Sequence, residues 1–411
     1  MKEFFPKILS PLFAIFILCL CFAPFVSANT GTWEYTTPMP KTLATIGTAV
    51  VDEKIFLIGG FSREPGEKIH NSVLMYDPKL DTWEDRAPMP TLRHEVTVVE
   101  LNGKIYAIGG LDSSDNPLNL VEEYDPLNNT WTKKANMLSK RRGTSVGVVN
   151  NKIYIIGGGQ GQGIQFINSI EEYDPVTDQW NLKKTNFPDT MFATSVTLDN
   201  QIYIIGGYPN LSRVLEYNPV TESVTQKSDL STGRYGSTST IVNQEILVIG
   251  GINKDSLPIN SVEQYNPNSD TWESKPNLLT ERRLAASETV NNRTFVFGGI
   301  NAENRSLDTV EVYSHSNSEP EPNPDPDPNP NPNPTGNALL VIYMDSGLIK
   351  EYEMTNEEIR NFTEWYEGRA KGNGREAYIV NKKYNIGPFN SRKDFISYSH
   401  IESFEVQEYS R

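Results

Sequence analysis

Ile153-Tyr154-Ile155-Ile156-Gly157-Gly158 is the stretch whose reading decides the fold, because the chain carries six versions of it. The others are Ile55–Gly60, Ile105–Gly110, Ile202–Gly207, Ile246–Gly251 and Phe295–Gly299, with successive glycine doublets 50, 48, 49, 44 and 48 residues apart. A turn pair such as Asn102-Gly103, Asn150-Asn151 or Asn291-Asn292 precedes the apolar run, and before it lies another β-branched segment. Asn and Gly tolerate the positive φ of a tight turn, so the two runs read as a β-hairpin. After each doublet come a loop and a third strand that carries Tyr76, Tyr124, Tyr173, Tyr217, Tyr265 or Tyr313. Asp-Pro or Asn-Pro follows the first five tyrosines and starts a turn, with proline fixing φ. Seven residues beyond the tyrosine stand Trp83, Trp131, Trp180 and Trp272, with Val224 in the fourth copy. Each unit is thus four antiparallel strands.

Six such units, with doublet, tyrosine and tryptophan in register over Gly31–Ser316, resemble the Kelch repeat. The resemblance implies an all-β fold, a six-bladed Kelch β-propeller spanning residues 29–316. The sixth copy has Tyr313 but no following tryptophan strand, whereas Thr32-Trp33-Glu34-Tyr35 stands alone at the start, followed by Pro38-Met39-Pro40. The same layout recurs at Trp83 and Pro88-Met89-Pro90. The N-terminal strand is therefore expected to be the outer strand of the last blade, closing the ring and removing its free edges.

The copies can be compared with one another. Sixteen residues before each doublet stand Leu43, Arg93, Arg141, Thr190, Arg234 and Arg282; two residues before each tyrosine stand Leu74, Glu122, Glu171, Leu215, Glu263 and Glu311. Arginine and glutamate occur in the same four blades. They read as structural salt bridges, Arg93–Glu122, Arg141–Glu171, Arg234–Glu263 and Arg282–Glu311, crossing a doublet that has no side chain to block them. The arginine position is expected to start the inner strand. The next residues, His94, Arg142, Tyr235 and Arg283, face the rim, where propeller loops converge on a rigid scaffold. Arg142 and Arg283 lack an evident same-blade acid and are the candidates for holding a carboxylate. The loop Tyr208–Arg213 is the shortest of those after the doublets, so the rim is expected to dip at blade four.

Catalytic signatures are sparse. His70, His94, His315 and His400 have no metal-ligand spacing, no HExxH, GxSxG or P-loop occurs, and Gly159–Gly163 lacks the lysine of a phosphate loop. The expectation is no metal and no cofactor. The one enzyme class left open by the Kelch resemblance is that of sialic acid epimerases (mutarotases), which need only polar acid–base groups.

Flanking segments supply the setting. Lys2 and Lys7, the apolar run Ile8–Val26 and Val26-Ser27-Ala28 read as a signal peptide over residues 1–28. Cys19 and Cys21, the two cysteines of the chain, lie within it, so thiol catalysis and disulfides are not expected in the exported protein. Residues 317–337 alternate proline with Asn, Asp and Glu and read as a stiff extended linker. Residues 338–411 read as a small α+β module, with a capping box at Thr355–Glu358 and Ile359, Phe362, Trp365 and Tyr366 on one helical face. Its GREAYIVNKKYN, GPFNSRKDF and IESFEVQEY segments resemble modules ending secreted proteins of Gram-positive spore formers. Lys371, Arg375, Lys382, Lys383, Arg392 and Lys393 make it locally basic, which suits contact with anionic cell wall.

Over 411 residues the formal charge is −15, which argues against nucleic acid and anionic membrane as partners. Only 37% of residues are hydrophobic, too few for a multi-span membrane protein. The expected protein is a secreted or cell-surface binding protein, more a binder than an enzyme, whose partner is an extracellular protein or a glycan, with an acidic one suited to the rim arginines.

Overall fold

A computed structural model describes residues 31–63, 68–161, 163–184, 186–315, 337–344, 349–370, 377–381, 393–397 and 401–408. The expected leader of residues 1–28, the expected linker up to residue 336 and Lys371, Arg375, Lys382, Lys383 and Arg392 lie outside them. The chain divides into two units, Met1–Glu319 and Pro320–Arg411.

The first unit is a six-bladed propeller of four-stranded antiparallel sheets. Blade two shows the pattern: Thr97–Leu101 innermost, then Lys104–Ile108, Val121–Asp125 and Thr130–Lys134. Both middle strands are largely buried because sheets pack on their two faces, which is why they read as continuous apolar runs. Blade six takes its outer strand, Trp33–Thr36, from the start of the ring. Trp33 pairs with Tyr313 in the register that Trp83 keeps with Tyr76. The rings lie 5.4 Å apart in blade six and 4.7 Å apart in blade one.

Glycine doublets stitch the blades together. The second glycine of each of five doublets donates its N–H to the carbonyl at the arginine position of the next blade, from Gly110 to Arg141 through Gly299 to Leu43, at 2.9–3.1 Å. Both glycines have positive φ (69° and 94° at Gly59 and Gly60), and a Cβ on Gly109 would fall 2.6 Å from the Arg141 carbonyl oxygen. The doublet is therefore required by the neighbouring blade's backbone rather than by the passage of an arginine within one blade.

The arginine position itself lies in the incoming connection, four residues before the inner strand, as Arg93 does before Thr97. From there Arg93 reaches back. Its guanidinium donates to the carbonyls of Gly109 and Leu120 and meets Glu122 at 2.8 Å. Arg141–Glu171 and Arg282–Glu311 meet at 2.5 Å, and Arg234 meets Glu263 in the same way. All four arginine side chains are fully buried. Desolvation depresses each arginine's pKa, against the upward pull of its glutamate.

The second unit holds a three-stranded sheet, with Asn337–Met344 between Ile349–Thr355 and Ile401–Glu408, and one helix, Asn356–Ala370. Phe362 is buried against Leu340 and Ile342, with Ile359 and Trp365 packed beside it. A separate pair joins Ala377–Asn381 to Lys393–Ser397. No helix among the described residues is long and apolar enough to cross a membrane.

Candidate functional site at the channel mouth

Six inner strands surround an axial cavity of about 610 Å³. Hydroxyl groups line much of it and bridge neighbouring blades. Thr97 meets Thr144 at 2.6 Å, Thr238 meets Ser287 at 2.8 Å, and Ser195 accepts the Val146 N–H at 2.9 Å. Three carboxylates, Glu95, Glu100 and Glu288, also line it. Glu288 is half-buried on Ala286–Val290, and desolvation lifts its pKa to about 7 against a smaller downward pull from the Thr48 hydroxyl.

The mouth is built from a strained ring. Thr45, Glu95, Gly143, Phe192, Gly236 and Leu284, one from each blade, all have φ between 50° and 58°. Four of them carry side chains, and such backbone persists only where the surroundings impose it. Backbone bonds of 2.8–2.9 Å run from Thr45 to Leu284, Leu284 to Gly236, Gly236 to Phe192 and Phe192 to Gly143. Among the described residues no such bond joins Glu95 to either neighbour, so the ring is open at blade two.

The rim residues immediately precede this ring. Arg142 crosses the opening to Glu95 of blade two at 3.0 Å and lies over the Phe192 ring at 5.5 Å. The expectation that Arg142 stands ready for a ligand acid is therefore corrected: an acid of the adjoining blade already takes its charge. His94 bonds Asp115 through Nε2 at 3.3 Å and packs edge-on to Phe61, while its Nδ1 is buried without a partner. Tyr235 sits beside Tyr208, with ring centroids 6.4 Å apart.

Arg283 differs. It donates to Asn304 Oδ1 at 2.9 Å, yet no carboxylate among the described residues pairs with it, and its Nε is buried without a partner. Burial lowers its pKa first, and the charge of Arg63 lowers it further. Arg63, from the blade-one loop, likewise has a buried Nε without a partner; its backbone N–H donates to Ser306 Oγ of blade six and its guanidinium lies 5.7 Å from the centre of the Phe61 ring. Two arginines thus lie within electrostatic reach of one another where blades six and one meet. Of the four residues singled out in the sequence, Arg283 belongs to this arrangement and Tyr235 adds to its field. Arg63 was missed because the loops after the doublets do not repeat in sequence, so comparing the copies could not single it out. Glu95 and Phe192 were missed although both stand one residue beyond the compared position. Among the described residues no group of three or more His, Cys, Asp and Glu side chains could hold a metal ion.

Comparison with known families follows this architecture. The profile described as "Attractin/LZTR1 beta-propeller" matches residues 105–318, more than half of the chain. The chain belongs to the Attractin/LZTR1 β-propeller family. The Kelch motif profile matches residues 43–90, the part of this family member that forms blade one. Among solved structures, that of YjhT superposes on the family member with a TM-score of 0.60 at 18% identity, covering 69% of this chain and 98% of that one. At that identity the likeness shows the fold alone. Comparison with curated proteins returns no significant match.

Proposed function

We propose that the propeller is a secreted or cell-surface binding protein that takes an acidic ligand, a carboxylated glycan or an acidic peptide, at the mouth between blades six and one. One observation carries this reading: Arg63 and Arg283 act on one another's charge, and each has a buried Nε without a partner among the described residues, in a chain whose overall charge is −15. Mutual repulsion of two guanidiniums is relieved by an anion, and a carboxylate can accept from both. The phenyl ring of Phe61 and the hydroxyl-lined cavity below offer room for the rest of the ligand. Calorimetry with acidic and neutral glycans tests it. Binding restricted to acidic members and lost in Arg283→Ala and Arg63→Ala is the expected result; equal binding of neutral glycans contradicts it.

A second reading rests on Glu288. A carboxyl group with a pKa of about 7, facing a cavity, is suited to moving protons at neutral pH, as a sugar mutarotase of the Kelch type requires. Anomer exchange of sialic acid followed by NMR separates the two: acceleration that disappears in Glu288→Gln supports the enzyme. The C-terminal unit is proposed to contact anionic wall polymer, and salt-sensitive retention on purified cell walls is its test.

A further inference from the structure

A second cavity, of about 390 Å³, opens between blades five and six, lined by Trp33, Tyr313, His315, Lys275, Pro276 and Glu245 among others. Its origin is legible by comparing blades. In blades one, two, three and five the turn after the third strand places Asp81, Asn129, Asp178 or Asp270 on the hydroxyl of its own blade tyrosine, at 2.5–2.7 Å. In blades two, three and five the same oxygen accepts a backbone N–H from the preceding blade, at Ala87, Ala135 or Ser228. In blades three and five the carboxylate also feels the preceding blade's lysine, Lys134 or Lys227. Tyrosine hydroxyl, lysine and carboxylate form a repeated set.

Among the described residues, blade six keeps the donors and lacks the acid. Its outer strand comes from the other end of the ring, and Gly31, two residues before Trp33 with φ of 60° and a would-be Cβ 3.6 Å from the Tyr313 hydroxyl, stands where Asp81 stands before Trp83. The Tyr313 hydroxyl has no hydrogen-bond partner among the described residues. Lys275 occupies the place of Lys134 and Lys227, and its partner is the exposed Glu273 of its own strand at 2.9 Å. The next residue is Pro276, where the other blades present an N–H, so the sequence has removed the one donor that would be left buried. Its carbonyl still accepts from Trp33 Nε1 at 2.9 Å, as Ala87 accepts from Trp131. A bare tyrosine hydroxyl is not sufficient by itself. Tyr217 of blade four also lacks a partner but is fully buried against apolar neighbours.

We propose that the seam cavity binds the carboxylate of a small organic acid between the Tyr313 hydroxyl and the Lys275 ammonium, the place an aspartate fills in blades three and five. The rings of Trp33 and Tyr313 line the cavity for the ligand's apolar part. Glu245, the carboxylate lining the cavity, is already held by the amides of Gln264 and Asn266. His315 is bonded to Thr294 at 2.7 Å, and burial followed by the charge of Lys275 lowers its pKa to about 4, so it stays neutral at pH 7.

The test uses the His315 ring signal in NMR, assigned by its loss in His315→Gln, with acetate and glucuronate as probes and glucose as the neutral control. Saturable shifts with both acids and none with glucose are expected. Tyr313→Phe, which keeps the ring, and Lys275→Met, which touches only a partly exposed side chain, each weaken glucuronate binding about tenfold, or about 1.4 kcal/mol. No saturable shift with either acid, an equal shift with glucose, or full affinity in folded Tyr313→Phe and Lys275→Met overturns the proposal. Arg283→Ala leaves the His315 response unchanged, so failure at the mouth and failure at the seam are read separately.

Discussion

Blades six and one are neighbours, and they fill the same crossing with opposite chemistry. Blade six buries Arg282 against Glu311, whereas blade one packs Leu43 with Leu74 in an apolar cluster that also holds Phe297 of blade six. The difference extends to the backbone. Glu311 accepts the N–H groups of Leu279 and Thr280 at 2.7 and 3.1 Å, and Glu263 and Glu171 accept equivalent N–H groups of Ser231 and Leu138. In blade one the residue after the buried Met39 is Pro40, and in blade four Pro188 follows Phe187. Neither proline has an N–H to satisfy. Blade two is intermediate, with Pro90 in place and the Thr91 hydroxyl donating to Glu122 at 2.9 Å. The lesson is that an ion pair and an apolar pair are interchangeable here only together with the donors around them.

The largest expected effect separates closure from pairing. Deleting residues 31–36 leaves Arg282–Glu311 in place but strips the paired edge from Val310–Ser314, so the melting temperature should fall further than for any single substitution below. A smaller fall than that of Glu311→Ala would show that the pair, not the closing strand, holds blade six. Next comes Glu311→Ala alone. It strands a fully buried guanidinium and two backbone donors and should cost about 3–5 kcal/mol in urea unfolding. Arg282→Leu with Glu311→Leu imitates blade one and should cost less than either single change; strict additivity would dissolve the comparison. Adding Leu279→Pro to that pair removes one idle N–H and should return about 0.4–1 kcal/mol.

A pH-dependent effect concerns Glu288. Its folded pKa of about 7 lies above the ordinary 4.5, so the folded state binds more protons between those values and stability declines as pH rises through them. Glu288→Gln should therefore raise the melting temperature at pH 8 and leave it nearly unchanged at pH 4; a pH-independent shift would mean that the carboxyl is not desolvated in the channel.

Much of this was legible because the chain is its own alignment. Doublet, tyrosine and tryptophan spacing gave the blades, and the missing sixth tryptophan placed Trp33. Arginine and glutamate co-occurring in four blades indicated their proximity before any coordinates. What escaped lies between blades. The Glu95–Arg142 pair joins successive copies, so comparing equivalent positions within single copies could not reveal it. Arg63 lies in a loop whose sequence does not repeat, and Glu288 acquires its pKa from a cavity that exists only when all six inner strands meet.

The route by which the chain leaves the ring also has a mechanical meaning. Its last described propeller strand, Val310–Ser314, which His315 follows, is flanked on one side by Trp33–Thr36 and on the other by Arg293–Phe297. Tension arriving through the residues beyond His315 therefore loads an interior strand in shear, with antiparallel partners sharing the force on both sides, and cannot peel an edge. The closing strand thus makes the propeller's exit point resistant to force applied along the chain beyond it.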